Sequence, residues 1–428
     1  MNFKLIAMKT VLLFTILILS YCSFSQIAWT WTELDTMPVK ISNNAVSNAV
    51  INGENYAFSF GGINETKLYS GINNRAFKYK VSTDTWSEIS PLPSTLTNIA
   101  AGASTVKNKI YIIGGYHVYS NSNEVSSNEV IIYNPETNTY EPNGTNIPTP
   151  IDDHVQCVWR DSLIYVITGW SNSGNVPKVQ IYNTELNIWS VGSETPNTHD
   201  YKSFGASGTI IGNTIYYFGG AKSSGGFNAV NKLRKGIIDE NNPTSITWSL
   251  EDDAPNNGYR SVCIKHENNA FWIGGSAISY NYNGIAYNGS GGVPPLTQIM
   301  RYDTDTYTWY EGFDSPFSVM DMRGIAQISS TSWIICGGMN ENQSVTNRTF
   351  LLNYDPITGG TIEQNTSKIY VHNHIIYSKT EITQALLYDL SGRLIETIGN
   401  NKISDYLTGI YILKIMSTNG SQTLKVKI

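Results

Sequence analysis

The chain has 428 residues, enough to bury a large core, with 41% hydrophobic, 12% aromatic and only 14% charged side chains. Plentiful Tyr, Gly, Asn, Ser and Thr beside sparse Lys and Glu favour strands and turns over helices. A net charge of −6 without a long basic run excludes nucleic acid as an expected partner, because phosphate binding needs clustered Lys and Arg.

Residues 1–25 have the layout of a secretory signal peptide. Lys4 and Lys9 precede an apolar run at 11–19, and Ser23 and Ser25 flank Phe24 before Gln26. Starts at Met1 and at Met8 both leave a signal of ordinary length. The bulky Tyr21 before Cys22 disfavours a lipid anchor. The apolar run is short for a membrane span, and no later segment resembles one. The mature chain is expected to be secreted or held at the cell surface. It keeps Cys157, Cys263 and Cys336, an odd number that argues against a complete disulfide framework.

From residue 27 a run of β-formers ending in two glycines recurs about every 55 residues. FSFGG ends at Gly61-Gly62, YIIGG at Gly114-Gly115, YYFGG at Gly219-Gly220, FWIGG at Gly274-Gly275 and IICGG at Gly337-Gly338. A degenerate copy, YVITGW, puts Thr168-Gly169 at the same point. A second marker keeps register with the first: Tyr79 and Trp86, Tyr133 and Tyr140, Tyr182 and Trp189, and Tyr302 and Trp309 are each seven apart. A proline follows seven residues after Trp86, Trp189, Trp248 and Trp309. Two aromatic strands joined by a short polar turn make a hairpin. The fourth copy departs from this pattern, with Asn241 seven before Trp248.

A hydrophobic strand, a double glycine, then Tyr and an aromatic residue at fixed spacing resemble the Kelch repeat over about residues 28–356. The resemblance implies an all-β fold, a six-bladed Kelch-type β-propeller over 27–356. In the sixth copy no Trp strand follows Tyr354, whereas Trp31 precedes Pro38 by the interior spacing of seven. The N-terminal strand is therefore expected to close the last blade from outside, leaving no open edge. Cys157 and Cys263 fall where the innermost strands crowd the axis, on non-adjacent blades, and read as small packing residues rather than a disulfide.

In a four-stranded blade, the loop after each double glycine and the link after each proline share one face. That face carries loops 63–75, 116–128, 170–177 and the longest, 276–298. Loops on a rigid scaffold are where binding resides. The resemblance implies a basic residue near the start of each inner strand, at the mouth of the central channel. Arg260 and Arg323 match it and His154 matches in part, with Asp152, Asp153, Asp321, Tyr201 and Tyr259 nearby. Two uses are open: the arginines lock blades together by pairing with aspartates, or they hold a polar ligand. Trp170, Tyr280, Tyr282 and Tyr287 lie in the loops, where exposed rings suit a sugar and equally a protein surface. The candidate ligand-binding set is Arg260, Arg323, His154, Asp153, Tyr259, Trp170, Tyr280 and Tyr282, with a glycan or an extracellular protein as partner.

Kelch-like propellers include two enzyme groups. Copper-radical oxidases need a Tyr–Cys crosslink and two histidines; His117, His154 and His199 reach the loop face without metal-motif spacing or a nearby cysteine. Sialic-acid mutarotases share the exported six-bladed plan, and a channel-mouth arginine would suit their carboxylate substrate. A binding module is the primary expectation, a mutarotase-like enzyme using these arginines the alternative, and neither cofactor nor metal is expected. Asp152-Asp153-His154 makes a poor acid/base group, since neighbours on a strand face opposite sides.

Beyond the propeller, a polar linker at 357–367 leads to a small antiparallel β-sandwich at 368–428. Tyr388-Asp389 with Ser391-Gly392-Arg393, then Gly409-Ile410-Tyr411 and a Lys-bearing end, resemble the C-terminal sorting domain of the type IX secretion system of Bacteroidetes. The resemblance implies the secretion machinery as a partner. It lacks the Pro-Asn-Pro opening common among such domains.

Overall fold

A computed structural model describes residues 28–94 and 96–355, and within the C-terminal region 369–372, 374–378, 382–389, 392–404, 406–407, 410–417 and 420–427. The signal peptide and the linker at 357–367 lie outside the described residues. The chain divides into two compact units, one at 27–355 and one starting at Pro356 that continues to the C-terminus.

The first unit is an all-β propeller of six antiparallel blades among the described residues. The innermost strands are Ala45–Ile51, Gly102–Val106, Val155–Trp159, Phe204–Ile211, Val262–His266 and Ala326–Ser329. Five outermost strands are Thr85–Ile89, Thr139–Tyr140, Ile188–Val191, Ile246–Leu250 and Thr308–Asp314. The sixth is Ala28–Leu34, which pairs antiparallel with Thr349–Asp355 from the far end of the propeller. The ring closes again at its centre, where Arg323–Gly324 runs parallel to Ala45–Ile51.

The register corrects one sequence expectation. Trp29, not Trp31, lies opposite Tyr354, as Trp86 lies opposite Tyr79 and Trp309 opposite Tyr302. Their ring centroids stand 5.1, 5.2 and 5.1 Å apart, a common packing unit. Trp31 pairs with Leu352 and packs edge-on against Phe317.

The seven-residue spacing has a local cause. Between the two aromatics the turn needs a left-handed residue, supplied by Asp84, Asn138 and Asn187. The tyrosine hydroxyl then donates to that residue's side chain, Tyr79 to Asp84, Tyr133 to Asn138 and Tyr182 to Asn187, at 2.6–2.7 Å. The outer aromatic stitches its blade to the segment before it. Trp86 Nε1 donates to Asp35 O, Trp189 to Thr145 O, Trp248 to Ser193 O and Trp309 to Asp252 O, and the Tyr140 hydroxyl donates to Ser90 O. Blade four keeps its stitch but widens its hairpin, so Gly236 faces Trp248 and the indole occupies the space of a side chain there.

Both glycines of each pair have positive φ, which glycine adopts at little cost. At Gly219 a Cβ would stand 2.1 Å from Gly258 O, so the backbone itself excludes a side chain. Thr168 tolerates φ 48° in the degenerate copy because its hydroxyl is shared between Val176 O and Ser203 O and accepts the Ser203 N–H. Cys157, Cys263 and Cys336 are free thiols.

In the C-terminal unit a four-stranded antiparallel sheet has the order Leu394–Ile398, Ile382–Tyr388, Ile410–Ser417, Gly420–Lys427. Ile369–His372 pairs with Ile375–Ser378 as a separate two-stranded sheet. Ile376 from that hairpin shares a core with Ala385, Leu387, Ile398, Leu413 and Ile415.

Candidate functional site

Each inner strand begins at the loop side with a left-handed residue: Asn43, Ala100, Asp153, Gly205, Arg260 and Asp321. That conformation turns one peptide sideways toward the next blade. The Asp153 N–H donates to Ala100 O, Gly205 to Asp153 O, Arg260 to Gly205 O, Met322 to Arg260 O and Asn43 to Asp321 O. The sixth link uses a side chain, Asn43 Oδ1, which accepts from the Ala100 N–H at 2.9 Å. A closed hydrogen-bonded belt thus circles the axis. It also corrects the alignment of the arginines, for Asp321 and not Arg323 is the counterpart of Arg260.

Arg260 spans the belt. Its Nε and Nη2 hold both oxygens of Asp153 at 3.1 and 2.6 Å, and Nη1 holds Asp321 Oδ1 at 2.7 Å. Arg323 adds a weaker contact to Asp153 at 3.5 Å and donates to His154 O at 2.7 Å. Two guanidinium groups and two carboxylates balance. Burial pushes the Asp153 carboxyl up, but Arg260 and Arg323 together pull it below its usual range. Asp321, paired with one arginine, stays raised because burial outweighs that single attraction. Burial and the charge of Arg323 bring His154 down to about 4, so it is neutral near pH 7. Asp152 lies well above the carboxylate range, through burial and then the charge of Asp153, which its Ser126 hydrogen bond only partly offsets.

The long loop 276–298 does not present its rings to solvent. Tyr280 is fully buried and packs edge-on to Tyr259, 5.1 Å between centroids, with Phe204, Met320 and Met339 around them. Tyr282 is half-buried against the loops of the first two blades, beside Ile63, Ile99 and Tyr116. Gln343 of the last blade donates to Val293 O at 2.9 Å and holds the loop down. The expectation of exposed rings is corrected for Tyr280, and that of an open mouth for Tyr259, Arg260 and Asp153: all four are buried. Their apolar burial in a cap over the axis is the physical reason. Trp170 is partly exposed and packs against Phe204 and Phe227.

Below the belt a polar channel of about 320 Å³ follows the axis, walled by His154, Gln156, Ser207, Thr209, Lys265 and Arg323 among others. Lys265 and Gln327, near its far end, are exposed. The channel therefore opens opposite the long loops. Sequence reasoning found His154 and Arg323 but missed Gln156 and Lys265, which carry no marker beyond alternation along an inner strand.

Two of the three histidines considered for copper have separate partners: His117 Nδ1 bonds Thr97 O and His154 Nε2 bonds Gln156 Oε1. Among the described residues no group of three His, Cys, Asp or Glu side chains is placed to hold a metal. No helix among them is long and apolar enough to cross a membrane.

Comparison with known proteins places these features in context. The KLHDC2/KLHL20/DRC7 Kelch-repeats domain matches residues 100–313, half of the chain. The Kelch-like protein terF of Aspergillus terreus is 24% identical over 276 residues, 61% of this chain and 54% of that protein. Kelch-like protein 25 of Xenopus tropicalis is 25% identical over 35% of this chain and 25% of its own length. The Rab9 effector protein with kelch motifs of Rattus norvegicus is 26% identical over 36% of this chain and 41% of its own length. The chain thus spans about half or less of each of these relatives. The solved structure of YjhT superposes on 81% of this chain and 99% of its own with a TM-score of 0.59 at 15% identity, a likeness of fold. Six blades with paired glycines, their aromatic hairpins and the matched repeat domain together establish that the chain belongs to the Kelch-repeat family.

Proposed function

We propose that the chain is an exported binding module whose loop face docks an extracellular protein. One observation carries this reading. With the axis capped, the loop face presents apolar side chains to water: Leu68 is 58% exposed, Tyr69 44% and Tyr119 43%, with Leu96 beside them in sequence order on the intervening link. His117 ties Tyr119 to that link, stacking edge-on with it at 4.6 Å while bonding Thr97 O. Exposed aliphatic and tyrosine side chains on adjacent loops suit a protein surface. Of the rings expected to meet a glycan, Tyr259 and Tyr280 are withdrawn from solvent, and the exposed Tyr69 adjoins the more exposed aliphatic Leu68.

The combined variant Leu68→Ser, Tyr69→Ser, Tyr119→Ser keeps its unfolding midpoint and loses its partner by at least about thirtyfold, since anchor truncations cost about 2 kcal/mol or more. Cross-linking of the native exported protein followed by mass spectrometry identifies the partner, and titration measures the loss. Binding on a glycan array, unchanged in the variant, sinks the reading. The enzymatic alternative, mutarotation of N-acetylneuraminate, retains Arg323 while Arg260 is saturated by carboxylates; NMR exchange between the sugar's anomers at the uncatalysed rate counts against it.

Export rests on the signal-like residues 1–25 and on the sorting-domain resemblance of 368–428. Deleting 366–428 leaves the protein in the periplasm while the propeller stays folded. Undiminished secretion of the shortened chain, measured by cell fractionation, defeats the sorting role.

A further inference from the structure

We propose that the partner of the loop face presents a cationic segment, with Lys or Arg beside an apolar anchor. The inference rests on the loop-face docking reading above and adds to it the charge of the occupant.

The exposed apolar side chains share one base. Ile63 and Ile72 of the first blade's loop pack in a single cluster with Ile99, Tyr116 and Val118 of the second blade. Leu68 and Tyr69 stand between Ile63 and Ile72 in the chain, and Tyr119 follows Val118. Three carboxylates border them. Glu65 precedes Leu68 in the same loop, and Glu124 lies opposite Val118 in the hairpin that carries Tyr119. Glu341 stands two residues before Gln343, whose carbonyl is joined to the first blade's loop through Lys67. All three carboxylates belong to exposed residues.

The positive charge that would answer them is missing from this part of the face. Across segments 63–74, 91–101, 116–128, 276–298 and 339–347, Lys67 is the only Lys or Arg. Its ammonium is turned to Gln343 O, to which it donates at 2.9 Å. Glu65, Glu124 and Glu341 have no base within salt-bridge distance among the described residues. Other blades match a carboxylate at the loop-side end of a strand: Arg75 with Glu88, Lys178 with Glu194, Lys232 with Asp253 and Arg348 with Glu33, at 2.5–2.8 Å. An apolar centre with a rim of one sign selects its occupant by charge. Cations brought among the three carboxylates speed encounter and fix register, whereas an acidic segment meets like charges on arrival.

Selection of short random peptides, displayed on phage, against the full chain tests this. The enriched peptides carry an aromatic or aliphatic anchor close to Lys or Arg and few Asp or Glu. Their affinity falls at least about tenfold between about 0.05 and 0.5 M salt. The variant Glu65→Lys, Glu124→Lys, Glu341→Lys keeps its unfolding midpoint, because all three positions are exposed and unpaired. It loses those peptides by at least about tenfold and selects acidic peptides with the same kind of anchor instead. Leu68→Ser, Tyr69→Ser, Tyr119→Ser loses both sets. Peptides that need the three apolar side chains but show no cationic bias, or that bind the charge-reversed variant equally well, overturn the charge assignment and leave the docking reading standing. If no enriched peptide needs those side chains, the docking reading fails and this inference with it.

Discussion

Arg260→Met is expected to cost the propeller about 3–5 kcal/mol, because it strands two buried carboxylates that the guanidinium now neutralises. Asp153 loses a bidentate partner and Asp321 its sole arginine contact within salt-bridge distance among the described residues. Urea unfolding at pH 7 measures the loss. Arg75→Met is the control: Arg75 pairs with Glu88 at 2.8 Å, but both are exposed, and such pairs contribute about 0–1 kcal/mol. The pH dependence separates an electrostatic cause from lost packing. In the native protein the Asp153 carboxyl is held below its unfolded value. Its contribution is therefore present above the unfolded pKa and disappears as pH falls through the folded one. In the Met variant the Asp153 carboxyl is pushed up instead and Asp321, already raised, rises further, so their penalty grows as pH rises. The gap between variant and native protein should accordingly narrow toward pH 4. A constant gap, or a cost no larger than that of Arg75→Met, rules out the ion network as the lock at the axis.

How much of this was legible beforehand follows from the range of each signal. The glycine pairs and the Tyr–Trp spacing were readable because each is fixed by a local backbone demand: positive φ after the second strand, and a left-handed turn residue between two rings. Closure by the N-terminal strand was readable because counting strands leaves one vacant place. Its register was not. Trp29 and Trp31 lie on the same face of one strand, and the link to Pro38 does not have the geometry of the interior links, so spacing to a proline selected the wrong ring. The belt was harder still. The left-handed positions Ala100, Asp153, Gly205, Arg260 and Asp321 carry four different residue types, and the contact from Arg260 to Asp153 spans 107 positions in sequence. The cap was misread for another reason. Tyrosines among glycines mark a loop equally well whether the rings face solvent or fold back over the axis, and only the arrival of Phe204, Met320 and Gln343 from other blades decides between them.

Removing Ala28–Leu34 is expected to abolish cooperative unfolding of the propeller and to leave an aggregation-prone chain. The strand makes a seven-residue ladder with Thr349–Asp355, and its loss bares that edge to any free strand nearby. It also takes out two indoles: Trp29 packs at 5.1–6.1 Å against Tyr354, Phe271 and Trp333, and Trp31 at 5.1 Å against Phe317. Truncating a core Trp costs about 3–5 kcal/mol, and the half-burial of Trp29 and Trp31 puts each toward or below the lower end. Two such losses with the ladder approach the whole stability of an ordinary domain, about 5–15 kcal/mol. The damage should spread, because the segment after the strand clasps both sides of the seam. Met37 N–H bonds Asn347 O, Gly338 N–H bonds Ile41 O, and Asp35 O receives the indole of Trp86 in the first blade. A synthetic peptide covering residues 27–36, added in excess to the shortened chain, should restore the near-UV signal and the sharp transition if edge pairing is what was lost. Calorimetry reads both steps. A shortened chain that melts at the native midpoint with the native enthalpy would mean that the remaining five complete blades hold the ring unaided, and the wheel would then owe its stability to contacts between neighbouring blades rather than to its closure.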